Sequence, residues 1–457
     1  MSMPSAQTTA STRAEIRRVT AAGTTANALE YYDFFLYGTA AALVFNVLFF
    51  PDLSPMIGTI AAFGTWGVGF IARPFGSIFF GHFGDRLGRK NVLIVTLVTM
   101  GSATTLIGVL PTYDTAGIWA PILLVTMRFI QGFAVGGEWG GTTSLIAEHS
   151  PNSQRGFYTG LSQSGVSSGF VLSAGVVALV TMLPDEALLS WGWRIPFLLS
   201  IALLAIGLYI RLQVSESPLF QEAQTAHDRR PQKSSPVFQA IRYNPRSMFV
   251  AIGARVGETS GAYMIQTFVL VYATTTLGLD RSTLLWILVL AVTIELATIP
   301  IFGSLSDRVG RRPVYLIGAG CLGLFAFPLF VLINTESLLW ITIALIIGMA
   351  LCHGAMVGAQ AAYFAELFDT GSRYSGAALG NSIGGSLAGG LTPIVSLTLL
   401  EVTGTVWAVA ALLCGLALIT VLAIVLGPET RGRVLSEPLR PHHGVASSED
   451  PQPGPRL

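Results

Sequence analysis

Twelve long apolar runs dominate the chain, at about 20–50, 56–82, 91–111, 117–147, 155–183, 193–212, 247–276, 282–303, 313–333, 337–365, 372–400 and 404–427. A helix of ~20 apolar residues spans the ~30 Å hydrocarbon layer of a bilayer. Its backbone N–H and C=O groups are then satisfied within the helix, which lipid requires. Twelve such runs leave almost no chain for a soluble domain. The residues AVILMFWYC make up 52% of the 457, and D, E, K and R only 11%, whereas a soluble domain carries about 25% charge. The expected fold class is therefore an all-α polytopic membrane protein with twelve transmembrane helices in membrane lipid. Composition excludes a nucleic-acid binder, a collagen and a disordered chain. With 26 basic and 25 acidic residues, the net charge of +1 says nothing about partners.

Punctuation divides the runs into two sets. The longest polar interruption, 213–246, holds Pro218, Arg229, Arg230, Pro231, Lys233 and Pro236. It separates a six-helix half at 20–212 from a second at 247–427. Residues 1–19 form a polar tail with no secretory core, so the first membrane helix is expected to act as the address. Residues 428–457 are polar and Pro-rich and are expected to form a disordered tail. Basic residues favour cytoplasmic loops. With the N-terminus inside, Arg13, Arg17, Arg18, Arg86, Arg89, Lys90, Arg155, Arg308, Arg311, Arg312 and Arg373 all fall inside, and only Arg194 and Arg281 fall outside. Both termini and the middle loop are expected in the cytoplasm. Cys321, Cys352 and Cys414 lie inside apolar runs and read as small hydrophobes, and no metal-ligand spacing is present.

The halves echo each other. Gly81-His-Phe-Gly-Asp85-Arg86-Leu-Gly88-Arg89-Lys90 follows the second run, and Gly303-Ser-Leu-Ser-Asp307-Arg308-Val-Gly310-Arg311-Arg312 follows the eighth. Glu148 and Arg155 recur as Glu366 and Arg373, with the same spacing inside the pair. Two echoes at nearly one offset along the chain imply parallel six-helix repeats, an arrangement that places a transporter's substrate site near the midplane between them.

The doubled G-x-x-x-D-R-x-G-R-[KR] loop resembles the signature of the major facilitator superfamily. Glu30-Tyr-Tyr-Asp33-Phe-Phe, the stretch Arg128-Phe-Ile-Gln-Gly-Phe-Ala-Val-Gly-Gly-Glu138-Trp-Gly-Gly and Trp191-Gly-Trp-Arg194-Ile-Pro-Phe are similar to stretches of the bacterial metabolite:proton symporters. The likeness runs from helix 1 through helix 11, including Arg255-x-x-Glu258 and Arg373-Tyr-Ser-Gly, and departs at Tyr31, where that family usually carries Trp. The resemblance implies a major facilitator fold in a bacterial inner membrane, active as a monomer. It implies alternating access that imports a small organic acid with protons as the coupling ion and no other cofactor. Shikimate-like hydroxylated ring acids, 2-oxoglutarate, citrate and betaine-like zwitterions are all open as substrates. It further implies that Asp85 meets helix 11.

Charges inside apolar runs mark candidate chemistry, since each costs ~2.5–3.5 kcal/mol at the bilayer centre unless paired or hydrated. Five acids qualify, Glu30, Asp33, Glu138, Glu258 and Glu295, with three guanidiniums, Arg73, Arg128 and Arg255. At ~1.5 Å per residue, Asp33 and Arg128 lie nearest mid-depth. Glu30, Asp33 and Tyr37 share a helix face. Asp33 is the first candidate for proton coupling, with Glu30, Glu138 and Glu258 behind it; the competing reading is a permanently paired structural acid. Water exclusion and a nearby arginine pull a carboxyl's proton affinity in opposite directions, as a substrate-driven switch needs. Arg128 is either a bidentate ligand for a substrate carboxylate or the structural partner of an acid such as Asp33. Gln131 sits beside it. Arg255 is a second substrate candidate or simply the intrahelical partner of Glu258. Gln163, Gln266, Gln360 and Asn381 are polar groups that either bond a hydroxylated substrate or join helices. His353 reads as a packing histidine. Arg73 reads as a gate or anchor.

The repeated loop is expected to form a cytoplasmic gate from Gly81, Asp85, Arg86, Gly88, Arg89, Glu148, Asp307, Arg308, Arg311, Glu366 and Arg373. A carboxylate such as Asp85 gains ~0.3–1 kcal/mol at a helix N-terminus, and Arg89 can reach Glu148. The rival functions are a proton antiporter exporting drugs and a transport-inactive membrane sensor. Helix 5 has no proline before Pro184 to match the former, and the C-terminal tail is short for the latter. No phosphate loop, zinc spacing or nucleophile elbow supports an enzyme.

Overall fold

The computed structural model describes residues 13–214, 241–242 and 244–435; the N-terminal tail to residue 12, most of the middle loop and the tail from 436 lie outside the described residues. Helix is the only regular structure among them, and twelve long helices account for the apolar runs. The first six are α1 (Arg13–Ala40), α2 (Pro55–Leu87), α3 (Arg89–Ile107), α4 (Trp119–His149), α5 (Arg155–Val180) and α6 (Arg194–Leu212). The second six are α7 (Pro245–Tyr263), α8 (Arg281–Val309), α9 (Arg311–Ile333), α10 (Leu338–Ile346, continuing to Leu367), α11 (Arg373–Thr403) and α12 (Val406–Leu426). Helices α3 to α6 and α8 to α12 are nine that are long and apolar enough to cross a membrane by length and composition. In α1 and α7, Glu30, Asp33, Arg255 and Glu258 lower the hydropathy, and all four are buried. The chain is an all-α multi-pass membrane protein.

Local chemistry sets the ends. Pro55 opens α2 behind the Ser54 cap, as proline does where its missing N–H is not needed. Asp280 caps α8 by accepting from the Thr283 amide at 2.7 Å, which holds its carboxyl below the usual carboxylate range. Gly88 and Gly310 turn the chain between α2 and α3 and between α8 and α9 at φ 104° and 124°, a region that favours glycine. Helix α1 starts seven residues before the first apolar run, because Ile16 and Val19 are buried and Glu15 lies 3.8 Å from His149 of α4.

Packing repeats between the sets. Helix α1 packs on α5 as α7 packs on α11, α2 on α4 as α8 on α10, and α3 on α6 as α9 on α12. The sets meet where α5 lies on α8 and α2 on α11. Small residues allow close crossings. A Cβ at Gly132 would strike the Gly69 carbonyl, one at Gly136 the Arg73 carbonyl, and one at Gly140 would come within 2.6 Å of the Ala378 nitrogen. Outward faces are apolar, with Leu324 82% exposed and Ile71 64%, as a lipid-facing surface should be. The polar groups turn inward. Helices interrupted by π-turns include the Met264–Phe268 segment after α7 and the Ile347–His353 segment within α10; such bulges often sit at functional sites.

Candidate functional site

The end of the bundle that carries both glycine turns, here the motif end, holds two matching ion networks. Asp85 accepts from the Ser375 amide at 3.0 Å and its hydroxyl at 2.7 Å, at the start of α11. Asp307 accepts from the Gly156 and Phe157 amides at 2.8 and 2.9 Å, at the start of α5. Each acid therefore sits at the positive end of a helix from the other set. Gly81 and Gly84 make the first contact fit, since a Cβ there would press on Ser375 and on the Tyr374 ring. Glu148 at the foot of α4 pairs with Arg89 of its own set and Arg373 of the other. Glu366 at the foot of α10 pairs with Arg311 at 3.2 Å and with Arg155 of the other set at 2.7 Å. Arg89, Arg155, Arg311 and Arg373 are all buried. Arg308 is exposed beside a cleft lined by Ser153, Gln154 and Phe157, and the Arg86 side chain lies outside the described ones.

The residues expected as tail join this end. Glu429 accepts from the Arg311 and Arg312 amides at 2.9 and 3.0 Å, capping α9. Thr430 donates to Glu366 at 2.6 Å. Carbonyls of Arg433 and Leu435 accept from Arg155 at 3.1 Å and Arg373 at 2.9 Å. Residues 428–435 thus differ from the expected disorder: polar composition served here to bind buried ions, not to solvate a tail.

At mid-depth, Arg128 lies over the rings of Tyr37 and Phe34, its Cζ 4.4 and 5.5 Å from their centroids, a cation–π contact. It donates to Gln131 at 2.5 Å. Gln131 donates to Thr104 of α3 at 2.8 Å, and Thr104 donates to Asp33 at 2.6 Å. Ser200 of α6 completes the Asp33 shell at 3.0 Å. Asp33 and Arg128 therefore form no direct pair but end one hydrogen-bonded chain. Eight arginines are buried among the described residues, Arg73, Arg89, Arg128, Arg155, Arg211, Arg255, Arg311 and Arg373. Seven have an acid within ion-pair distance. Arg128 has none among the described residues.

The shared face of α1 divides. Three residues turn a helix by about 300°, so neighbours at i and i+3 diverge by ~60°. Asp33 faces α3 and α6 inside the first set. Glu30 faces Arg73 of α2 at 3.8 Å, and its second oxygen has no partner among the described residues. Tyr37 contacts the Thr65 hydroxyl of α2 at 2.5 Å. An aromatic group from both sets surrounds this level: Tyr263 of α7 lies 5.7 Å from Phe34, 5.8 Å from Trp66 and 5.9 Å from Phe70.

The second set has its own polar centre. Arg255 pairs with Glu258 at 2.6 Å, donates to Gln360 at 2.8 Å and reaches Tyr31 of α1 at 3.4 Å. Gln360 donates to Tyr315 at 2.7 Å. His353 is no mere packing histidine, because it bridges Glu258, at 2.9 Å, and Glu295. Other candidates disperse. Glu138 is bound by Arg211 of α6 at 2.5 Å and Thr96 at 2.5 Å. Gln163 accepts from Trp139 at 3.0 Å. Gln266 is half-buried on the π-turn after α7. Asn381 is buried on α11, its side-chain oxygen without a partner among the described residues.

Sequence reading missed Thr104, Ser200, His353, Glu295 as a paired acid, and Glu429. One signal was available for Glu295: the five acids placed inside apolar runs outnumber the three guanidiniums placed there, so further cations had to reach some of them.

Residues 19–236 match the family described as "Sugar (and other) transporter", and residues 256–448 match "Major Facilitator Superfamily". The chain is 44% identical to the shikimate transporter of Escherichia coli (strain K12), over 83% of this chain and 86% of that one. It is 36% identical to the glycine betaine/proline/ectoine/pipecolic acid transporter OusA of Dickeya dadantii (strain 3937), over 92% and 85%. The fold is shared with the proton:xylose symporter XylE bound to 6-bromo-6-deoxy-D-glucose, with a TM-score of 0.73 at 18% identity over 93% of this chain and 98% of that one.

Proposed function

The chain belongs to the major facilitator superfamily of membrane transporters, and from that premise we propose that it is a proton-coupled symporter that imports a small carboxylated metabolite by alternating access. One observation carries the reading: Arg128 is the buried arginine with no acid partner among the described residues. An unpaired charge excluded from water is expensive, and an incoming carboxylate removes that cost. The planar guanidinium offers it two parallel donors.

Asp33 is the proposed proton carrier. The chain Arg128–Gln131–Thr104–Asp33 gives substrate binding a physical route to it. When an anion draws the Arg128 donor, Gln131 and Thr104 readjust and the Asp33 shell changes with them. Glu30, Glu258 and Glu138 rank behind it; Glu138 already holds Arg211. Gln131 stays with Arg128 as a substrate contact, and Asn381, Gln163, Gln266, Gln360 and Arg255 are proposed as secondary ones.

The motif end is proposed as the cytoplasmic face, with both termini there, in a bacterial inner membrane. Its paired networks form the gate, shut here by Asp85, Arg89, Glu148 and Arg373 on one side and Asp307, Arg311, Glu366 and Arg155 on the other. Opening toward the cytoplasm requires both to part. The chain works as a monomer, with protons as the coupling ion and no other cofactor.

A binding panel tests the substrate class. Purified protein is titrated with shikimate, 2-oxoglutarate, citrate and glycine betaine, alongside an uncharged sugar. Saturable binding of at least one carboxylate and none of xylose supports the reading; binding of xylose alone overturns it.

A further inference from the structure

Glu258, His353 and Glu295 are buried together in the second set, on three helices, and proton-coupled import through Asp33 and Arg128 leaves two of them without a role. Nε2 of His353 lies 2.9 Å from a Glu258 oxygen, and Nδ1 contacts a Glu295 oxygen. A neutral imidazole has one N–H and one lone pair. With a carboxylate at each nitrogen, a neutral ring would turn its lone pair on a negative oxygen. One more proton turns both contacts into charge-assisted hydrogen bonds.

The charges agree. With Arg255 paired to Glu258 at 2.6 Å, a doubly protonated ring makes the four groups neutral as a whole. Without that proton they hold a net negative charge out of water, which burial penalises. Among the described residues, Arg255 is the one arginine within ion-pair distance of this group; Arg155 of α5 and Arg311 of α9 are engaged by Glu366 at the foot of α10, and Arg373 of α11 by Glu148. Helix α9 contributes Tyr315, through Gln360. Helix α5 contributes the Ser167 hydroxyl, which donates to Glu295 at 3.2 Å. Helix α4 contributes Trp139 against Phe364. Tyr31 of α1 reaches Arg255.

We propose that Glu258, His353 and Glu295 form a second proton-binding site, distinct from Asp33, in which an imidazolium is clasped by two carboxylates. Ser167 and Tyr31 belong to the first set, so the site is completed only while the sets are in contact. The ring sits at the last residue of the π-turn Ile347–His353, whose wider turn aims it between α7 and α8. The inference deepens the proton-coupled reading, on which its part in a transport cycle rests; the proton itself rests on the geometry.

The test is the ¹⁵N spectrum of the full chain in lipid nanodiscs with labelled histidine. The His353 signal is the one missing from both His353→Asn and His353→Gln, and melting curves identify any variant that fails to fold. At pH 7 both ring nitrogens should appear protonated, in the wild type and equally in Asp33→Asn. In Glu258→Gln and in Glu295→Gln the ring should lose the second proton. A neutral ring in the wild type, or a doubly protonated ring that ignores both substitutions, overturns the proposal. Because Asp33→Asn carries the same signal, a failed role for Asp33 leaves this result standing, and the reverse also holds.

Discussion

Arg128 owes its importance to what it lacks. Tyr37, Phe34 and Gln131 partly solvate its guanidinium, but no acid neutralises it among the described residues. Lysine keeps the charge and loses the two parallel donors. Arg128→Lys should raise the dissociation constant of the panel's carboxylate by roughly tenfold for each ~1.4 kcal/mol of binding free energy removed. Titration with a melting curve on the same sample checks this; unchanged affinity with a lower melting temperature makes Arg128 structural and shifts the ligand role to Arg255. Asp33 receives hydroxyls from Thr104 and Ser200, contacts that Asn can partly keep while holding no exchangeable proton. Asp33→Asn should therefore preserve substrate exchange and abolish uphill accumulation. Accumulation that survives in the variant moves the role to Glu30, whose one ion pair among the described residues is the 3.8 Å contact to Arg73. Depth along a helix was legible from counting residues, and it singled out both side chains. Direction was not, because the modest angle between Glu30 and Asp33 around α1 decides which neighbour each meets, and that depends on how helices pack. His353 was opaque for a related reason. A histidine in an apolar run looks the same whether it packs or bridges, until the acids on two other helices are brought to it.

At the scale of elements, the motif end rests on carboxylates that each serve two helices. Removing the charge of Glu148 leaves Arg89 and Arg373 buried without their shared acid. A buried group that loses its partner costs about 1–3 kcal/mol, more when charged. Glu148→Gln should therefore favour the state open at the motif end. Ser144 on α4 is fully buried, so a Ser144→Cys thiol, in a background without the three native cysteines, reports on opening. Maleimide labelling of purified protein should quicken severalfold in Glu148→Gln, and an unchanged rate would mean that this network is no latch. These pairs were largely readable in advance. The recurrence of Asp85 as Asp307 and of Glu148 as Glu366 is visible without structure, and a doubled Asp near a doubled Gly turn implies a doubled contact. The part played by Glu429 was hidden, since the second set uses a segment after α12 to cap α9 and the polar composition of that segment suggested a free tail.

For the whole molecule, the twelve helices and their two sets follow from hydropathy and the internal repeat, because lipid permits few alternatives to a helix. The membrane orientation rests on arginine placement. Ser153 is exposed at the motif end and Asp185 at the opposite end. With single cysteines at these positions, an impermeant thiol reagent on intact cells should label Asp185→Cys and spare Ser153→Cys; the reverse pattern inverts the topology. In the proposed cycle, alternating access links the two ends through one site and draws its energy from the proton gradient. The most direct test uses proteoliposomes holding this chain alone, with labelled shikimate and the other carboxylates of the panel outside. An inward proton gradient should concentrate at least one of them above its external level, a protonophore should collapse that level, and Asp33→Asn should only equilibrate it. Equilibration without accumulation, or expulsion of substrate against the gradient, contradicts proton-coupled import.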